Sequence, residues 1–206
     1  MKRQEIIAAV LNVWYIEVDG GIYSVYDPCG KYVGRCVWAT AQRVLQEPTV
    51  KKIETYNGYV IANCTSRRAS EIENREICKR YAEGLEQYAD GMAHRCPHCG
   101  TENIIPEYAP AYCCEYCRTQ TERDEWELLS LYDYLQECYD VEYRIGGDRE
   151  YRSAEICLAW GGPNVYVDTA ENAVKLFWGG ERETYYISGS VSDEIDDICE
   201  EQYNCI

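Results

Sequence analysis

The chain has 206 residues, of which 46% are apolar and thirteen are cysteine, and it carries a formal net charge of −16. That apolar fraction is enough for real cores and excludes wholesale disorder. The charge is uneven: residues 1–95 hold thirteen Lys/Arg against twelve Asp/Glu (net +1), and residues 96–206 hold seven against twenty-four (net −17), which argues against direct nucleic-acid binding by the second half.

The first elements alternate hairpin and helix. A short helix is expected over about 3–12, with Ile6, Ile7, Val10 and Leu11 as its apolar set. Val13–Val18 and Ile22–Tyr26 flank Asp19-Gly20-Gly21, a hairpin signal. Asp27-Pro28-Cys29-Gly30 reads as a turn, and Val37–Gln46 as a helix stopped by Pro48. Lys51–Tyr56 and Tyr59–Asn63 flank Asn57-Gly58, the signature of a type I′ hairpin. Residues 69–90 form a long helix with Ile77, Tyr81, Leu85 and Tyr88 at helical spacing. Arg67, Arg68, Arg75, Lys79 and Arg80 could make a phosphate-binding strip on it. The interleaved Glu71, Glu73, Glu76 and Glu83 favour a solvated face with i,i+4 pairs.

Two C-x-x-C pairs follow: Cys96-Pro-His-Cys99-Gly100 and Cys114-Glu-Tyr-Cys117. Their spacing lets four thiolates close a tetrahedron around one zinc ion, and an all-thiolate site is closed and therefore structural. Cys113 is adjacent to Cys114 but out of register with Cys117. His94 and His98 could each replace a thiolate. An iron–sulfur cluster or a redox dithiol would use the same residues. The intervening loop, Thr101–Tyr112, contains two acids and no base, which suits a scaffold better than a nucleic-acid reader.

Past the cysteines, Thr121-x-x-Asp124 has the pattern of a capping box opening a helix to about Cys138, with Leu128, Leu131, Tyr132 and Leu135 on its buried face. Strands are expected at Val141–Ile145, Arg152–Trp160, Val165–Asp168, Val174–Trp178 and Glu183–Ile187. Short Gly-rich connections between them imply an antiparallel meander. Ser190-x-x-Asp193 would cap a last helix with Val191, Ile195, Ile198 and Cys199 inward. Its other faces carry Asp193, Glu194, Asp196, Asp197, Glu200 and Glu201. The expected fold is therefore α+β: an N-terminal module (1–92), a four-cysteine zinc ribbon (93–120) and an acidic C-terminal module (121–206).

Catalysis is not expected. Both histidines lie beside the cysteines, so a Ser-His-Asp or Cys-His arrangement elsewhere is excluded. The glycine pairs are isolated turns rather than phosphate loops, and Asp168 and Glu171 read as turn formers. The odd cysteine count, with Cys36 and Cys157 single in apolar runs, argues against a disulfide scaffold. Ile6–Ile16 is too short to cross a bilayer and no cleavage-site pattern follows it. A reduced, cytoplasmic protein of a bacterial host, without membrane attachment, is the expectation.

Residues 94–120 resemble the zinc-ribbon class. The run from Tyr151 to Thr169, with Val174-Lys-Leu-Phe-Trp-Gly-Gly, resembles small uncharacterised proteins of phages and mobile elements of Firmicutes over about 130–206. That resemblance implies an inhibitor of host defence, of the anti-CRISPR or antirestriction kind. Its acidic surface would cover the basic nucleic-acid groove of a nuclease, such as a CRISPR effector. The alternative is a zinc-ribbon adaptor or regulator that binds nucleic acid through the N-terminal half.

Overall fold

The computed structural model describes residues 3–12, 14–55, 57–65 and 67–205. Val13, Tyr56 and the Arg68 side chain, used in the expectations above, lie outside the described residues. Helices and antiparallel sheets are mixed throughout, giving an α+β protein with two compact units, Met1–Ile77 and Cys78–Ile206.

The first unit contains α1 (Arg3–Asn12), β1 (Tyr15–Asp19), β2 (Ile22–Tyr26), β3 (Tyr32–Arg35), α2 (Trp38–Leu45), β4 (Val50–Thr55) and β5 (Gly58–Asn63). The start of α3 (Arg67–Ala89) completes it. Its sheet has the order β3-β2-β1-β5-β4. Strand alternation divides the core in two. Ile16, Val18, Val25 and Ile61 pack with Ile6 and Val10 of α1 and Ala41 and Val44 of α2. Tyr15, Val60 and Ala62, on the opposite face, pack with Ala69 and Ile72 of α3. Gly20 and Gly21, both at positive φ, make the expected two-residue turn. The second hairpin is shifted by one from its expected register, because Gly58 pairs with Thr55 and is itself a strand residue. A Cβ on Gly58 would lie 2.0 Å from the Val18 carbonyl oxygen, so this glycine serves the close approach of β1.

The second unit begins with the rest of α3, from Cys78 to Ala89, followed by two small hairpins: β6 (Ala93–Arg95) with β7 (Glu102–Ile104), and β8 (Ala111–Cys113) with β9 (Gln120–Glu122). β10 (Glu127–Leu128) joins β6 on its other side. The helix expected from Thr121 to Cys138 is absent: a 3-10 turn at Arg123–Glu125 and β10 occupy its first half, and α4 (Leu131–Leu135) is one short helix. Thr121 is a buried strand residue opposite Tyr112, and Trp126 is needed in the ribbon core, so tertiary demands override the local capping pattern. The true capping box is Ser130 with Asp133. Leu131 and Leu135 face inward with Leu129, whereas Leu128 and Tyr132 are exposed.

The meander is as expected, with β11 (Asp140–Ile145), β12 (Tyr151–Ala159), β13 (Asn164–Asp168), β14 (Ala173–Trp178) and β15 (Glu181–Tyr186) in sequential order. One face presents buried Ile156, Leu158, Val165, Val167, Val174 and Leu176. α5 (Gly189–Asn204) packs on β12 through a stripe of Val191, Ile195 and Cys199. Burying Ile195 fully contributes about 2–3 kcal/mol. The N-cap of α5 is Ser188 rather than Ser190: its side chain accepts from the Val191 amide, and its own N–H donates to Glu86. Among the described residues no helix is long and apolar enough to cross a membrane.

Candidate functional site

Each ribbon hairpin ends in a cysteine turn, and the two turns match atom for atom. In the first, the Cys96 amide donates to the Thr101 carbonyl and the Gly100 amide to the Cys96 carbonyl, both at 2.9 Å. In the second, the Cys114 amide donates to the Thr119 carbonyl and the Arg118 amide to the Cys114 carbonyl, both at 3.0 Å. Gly100 and Arg118 occupy the same position after the last cysteine, with φ of +74° and +61°. Glycine adopts that conformation freely and arginine does so under strain.

The turns bring four sulfurs together. The Sγ atoms of Cys96, Cys99, Cys114 and Cys117 all lie within 4.8 Å of one another. Cys96 and Cys117 are 3.8 Å apart, and Cys99 and Cys114 are 3.6 Å apart. A tetrahedral thiolate site with metal–sulfur bonds of about 2.3 Å has edges of about 3.8 Å, so the cluster has the size of a metal site. Backbone N–H groups of His98 and Cys99 point at the Cys96 sulfur, and those of Tyr116 and Cys117 at the Cys114 sulfur. Burial pushes the Cys114 thiol up, but these amides and the neighbouring Cys117 and Cys99 more than offset it and bring it down to about 6. At Cys96 burial prevails and holds the thiol up at about 11. The hydroxyl and amide of Thr101 draw the Cys99 thiol down.

The other candidate ligands face elsewhere. Cys113 is exposed and its thiol donates to the Arg118 carbonyl. His94 Nδ1 lies 3.0 Å from the Met92 carbonyl oxygen, and His98 Nε2 lies 3.1 Å from Thr121 Oγ1. Among the described residues the four-cysteine group is the one that could hold a metal ion. Behind it, Cys96 and Cys114 pack with Ile105 and Trp126.

Asn103, which the spacing of cysteines does not reveal, ties the turns together. Its carboxamide oxygen accepts from the Glu115 amide at 3.0 Å. Its NH2 donates to the Thr101 carbonyl at 2.9 Å and lies 3.7 Å from the Cys114 sulfur. One buried side chain thus bridges the first turn to the second. A polar residue between two cysteine pairs was the available signal, but it is indistinguishable in sequence from a loop asparagine.

The acids of α5 divide into two kinds. Asp193, Glu194, Asp197, Glu200 and Glu201 are exposed, and among the described residues none has an ion-pair partner. Asp196 is engaged internally: its carboxylate accepts from the Tyr151 hydroxyl and, at 2.7 Å, from Thr169. Of the basic residues on α3, Arg67 pairs with Glu71 and Lys79 with Glu83, so carboxylates neutralise the strip at those points.

Asp168 proves to be more than a turn former. It is wholly buried and accepts two hydrogen bonds from the Arg144 guanidinium (2.7 and 2.8 Å) and one from Lys175 (2.6 Å). Burial alone would push this carboxyl up, but the two cations more than offset it and hold it well below the usual carboxylate range. Lys175 is also buried and reaches Glu171 at 2.8 Å.

Comparison with protein-family models, curated proteins and solved structures returns no match for the chain.

Proposed function

We propose that this is an acidic docking protein, in which a structural zinc ion on Cys96, Cys99, Cys114 and Cys117 stiffens the ribbon and α5 binds a basic partner. In its most concrete form it is a phage-encoded inhibitor of a host defence nuclease, of the anti-CRISPR or antirestriction kind, that occludes the nucleic-acid groove without a catalytic step of its own.

The observation that carries this reading is the arrangement of the five exposed carboxylates. Asp193, Asp197 and Glu201 form an i,i+4 row on α5, with Glu194 and Glu200 beside it. Each like-charge i,i+4 pair destabilises a helix by about 0.2–0.5 kcal/mol. Glu200 and Glu201 also sit in the C-terminal half of the helix, where the macrodipole disfavours negative charge and no base is present in the last turn. A helix with only a packing role gains nothing from this repulsion. A cationic groove would relieve it and would be drawn in by the same field.

The test is a nuclease-protection series. The protein is mixed with a nuclease that has a basic groove, before or after the nucleic acid, at low and high salt. Inhibition is expected when the protein is added first, weakening with salt. The variant Asp193→Lys, Asp197→Lys, Glu200→Lys, Glu201→Lys should fold and fail to inhibit; Asp196 is left intact. Full inhibition by that variant, or a salt-sensitive gel shift of short duplexes by the wild-type protein, would overturn the reading.

A further inference from the structure

The face of the C-terminal sheet turned away from α5 carries a cavity of about 480 Å³. That lies within the range of small-ligand sites. Strand alternation builds its floor: Glu142 stands opposite Glu155, and Asp140 and Tyr166 stand opposite Cys157 from either side. Tyr139, just before β11, and Trp160, in the β12–β13 connection, add two side walls. Both of these rings are about two-thirds exposed, at 69% and 66%, so their apolar area is not spent on a core.

The charge around the cavity is incomplete in one direction. Glu142, Glu155 and Asp168 form a cross-strand row of three carboxylates, an arrangement that is unfavourable without counter-ions. Arg144 and Lys175 neutralise the Asp168 end, and Arg144 also reaches Glu155 at 3.2 Å. The other end is left open. Among the described residues Glu142 and Asp140 have no ion-pair partner, and no lysine or arginine lines the cavity.

These features select an occupant. An anion is repelled by the unpaired Glu142 and Asp140. A neutral apolar group would desolvate them without giving a hydrogen bond. A planar cation meets both demands, stacking on an aromatic face while its N–H fork engages a carboxylate. We infer that this cavity binds a guanidinium group, stacked against its aromatic walls and hydrogen-bonded to Glu142 and Asp140. The inference is independent of the docking reading, because α5 packs on the opposite face of the sheet.

Calorimetric titration of the full-length protein tests it. Agmatine and N-acetyl-arginine amide should bind with one site. N-acetyl-citrulline amide, neutral and nearly isosteric, should not bind, and tetramethylammonium, which lacks donors, should bind much more weakly. Trp160→Ala should weaken agmatine binding about tenfold, the weight of one well-desolvated cation–π contact. Glu142→Gln should weaken it at least as much. Glu107→Gln, at an exposed loop residue outside the cavity lining, should leave it unchanged. Both side chains are exposed, and unchanged circular dichroism would confirm folding of the variants. The source follows from a further arm: preference for agmatine over an arginine-containing peptide indicates a free metabolite, and the reverse indicates an arginine of a protein partner. Equal binding of citrulline and arginine amides, no binding of any guanidinium at 10 mM (about −2.7 kcal/mol), or full affinity in Trp160→Ala and Glu142→Gln would overturn the inference.

Discussion

Replacing Asp168 with asparagine tests whether the buried ion cluster holds the C-terminal sheet together. The substitution keeps the shape and one acceptor but removes the charge that faces Arg144 and Lys175. Breaking a buried pair by removing one partner costs about 3–5 kcal/mol. Here the lower end applies, because Lys175 retains Glu171 at 2.8 Å and Arg144 retains Glu155 at 3.2 Å. A loss of about 3 kcal/mol should lower the melting temperature of the unit spanning Cys78–Ile206 by roughly 10 °C. Urea and thermal unfolding at pH 7, followed by circular dichroism, read this directly. The two units need not unfold together, so only the transition that moves belongs to the C-terminal unit. Adding Lys175→Met to Asp168→Asn should recover part of the loss, since the stranded cation is removed. The pH dependence has a definite sign. A carboxyl held below its unfolded value stabilises the fold above pH about 4 and loses that contribution as the solution is acidified through its folded value. The gap between wild type and Asp168→Asn should therefore narrow below pH about 4. A shift under 3 °C at pH 7 would refute the argument.

Elemental analysis should find one zinc per chain, and a strong chelator should abolish the near-ultraviolet signal of Trp126 and Tyr112; no metal and an unchanged melting curve would refute the metal site. Asn103→Ala should weaken metal affinity about tenfold or more in a competition titration, as loss of a residue that orients ligands does. Arg118→Gly should be neutral to stabilising, by up to about 1 kcal/mol, whereas Gly100→Ala should destabilise by about 1 kcal/mol, both measured by melting of the metal-loaded protein. Asp196→Asn should cost about 1–2 kcal/mol through its bonds to Tyr151 and Thr169, whereas Asp193→Asn should stay within about 0.5 kcal/mol.

Elements whose signals are local were legible in the sequence. The meander followed from alternating strands between glycine-rich turns, and the cysteine cluster from two C-x-x-C pairs. What failed involved competition between local and tertiary demands. Thr121-x-x-Asp124 satisfies a capping pattern, yet Thr121 pairs with Tyr112 and Trp126 fills the ribbon core. Asn57-Gly58 promised a turn at those two residues, yet Gly58 is required inside the strand by the Val18 carbonyl. Asp196 looked like one surface acid among six, because nothing local reveals a partner forty-five residues away at Tyr151. The cavity on the sheet was illegible for the same reason, since its lining comes from three strands and their flanks.

Net charge alone also misleads about where a protein this acidic can act. In the C-terminal unit the carboxylates that the sheet buries, Asp168 above all, are matched by cations or hydrogen-bond donors. Their charge is consumed by the fold and is not presented to a partner. Two groups of unmatched carboxylates lie on opposite faces of one sheet: those on the outer faces of α5, and those at the Glu142 end of the cross-strand row. The two differ in shape. The helix offers a convex row suited to a broad basic surface, where affinity comes from many weak, salt-screened contacts. The cavity offers a walled recess in which a single cation is partly desolvated, so each contact there is worth more. Raising salt should therefore weaken α5-dependent binding steeply and guanidinium binding in the cavity only slightly. Equal salt sensitivity at the two sites would mean that the cavity walls do not exclude water, and would remove the distinction between them.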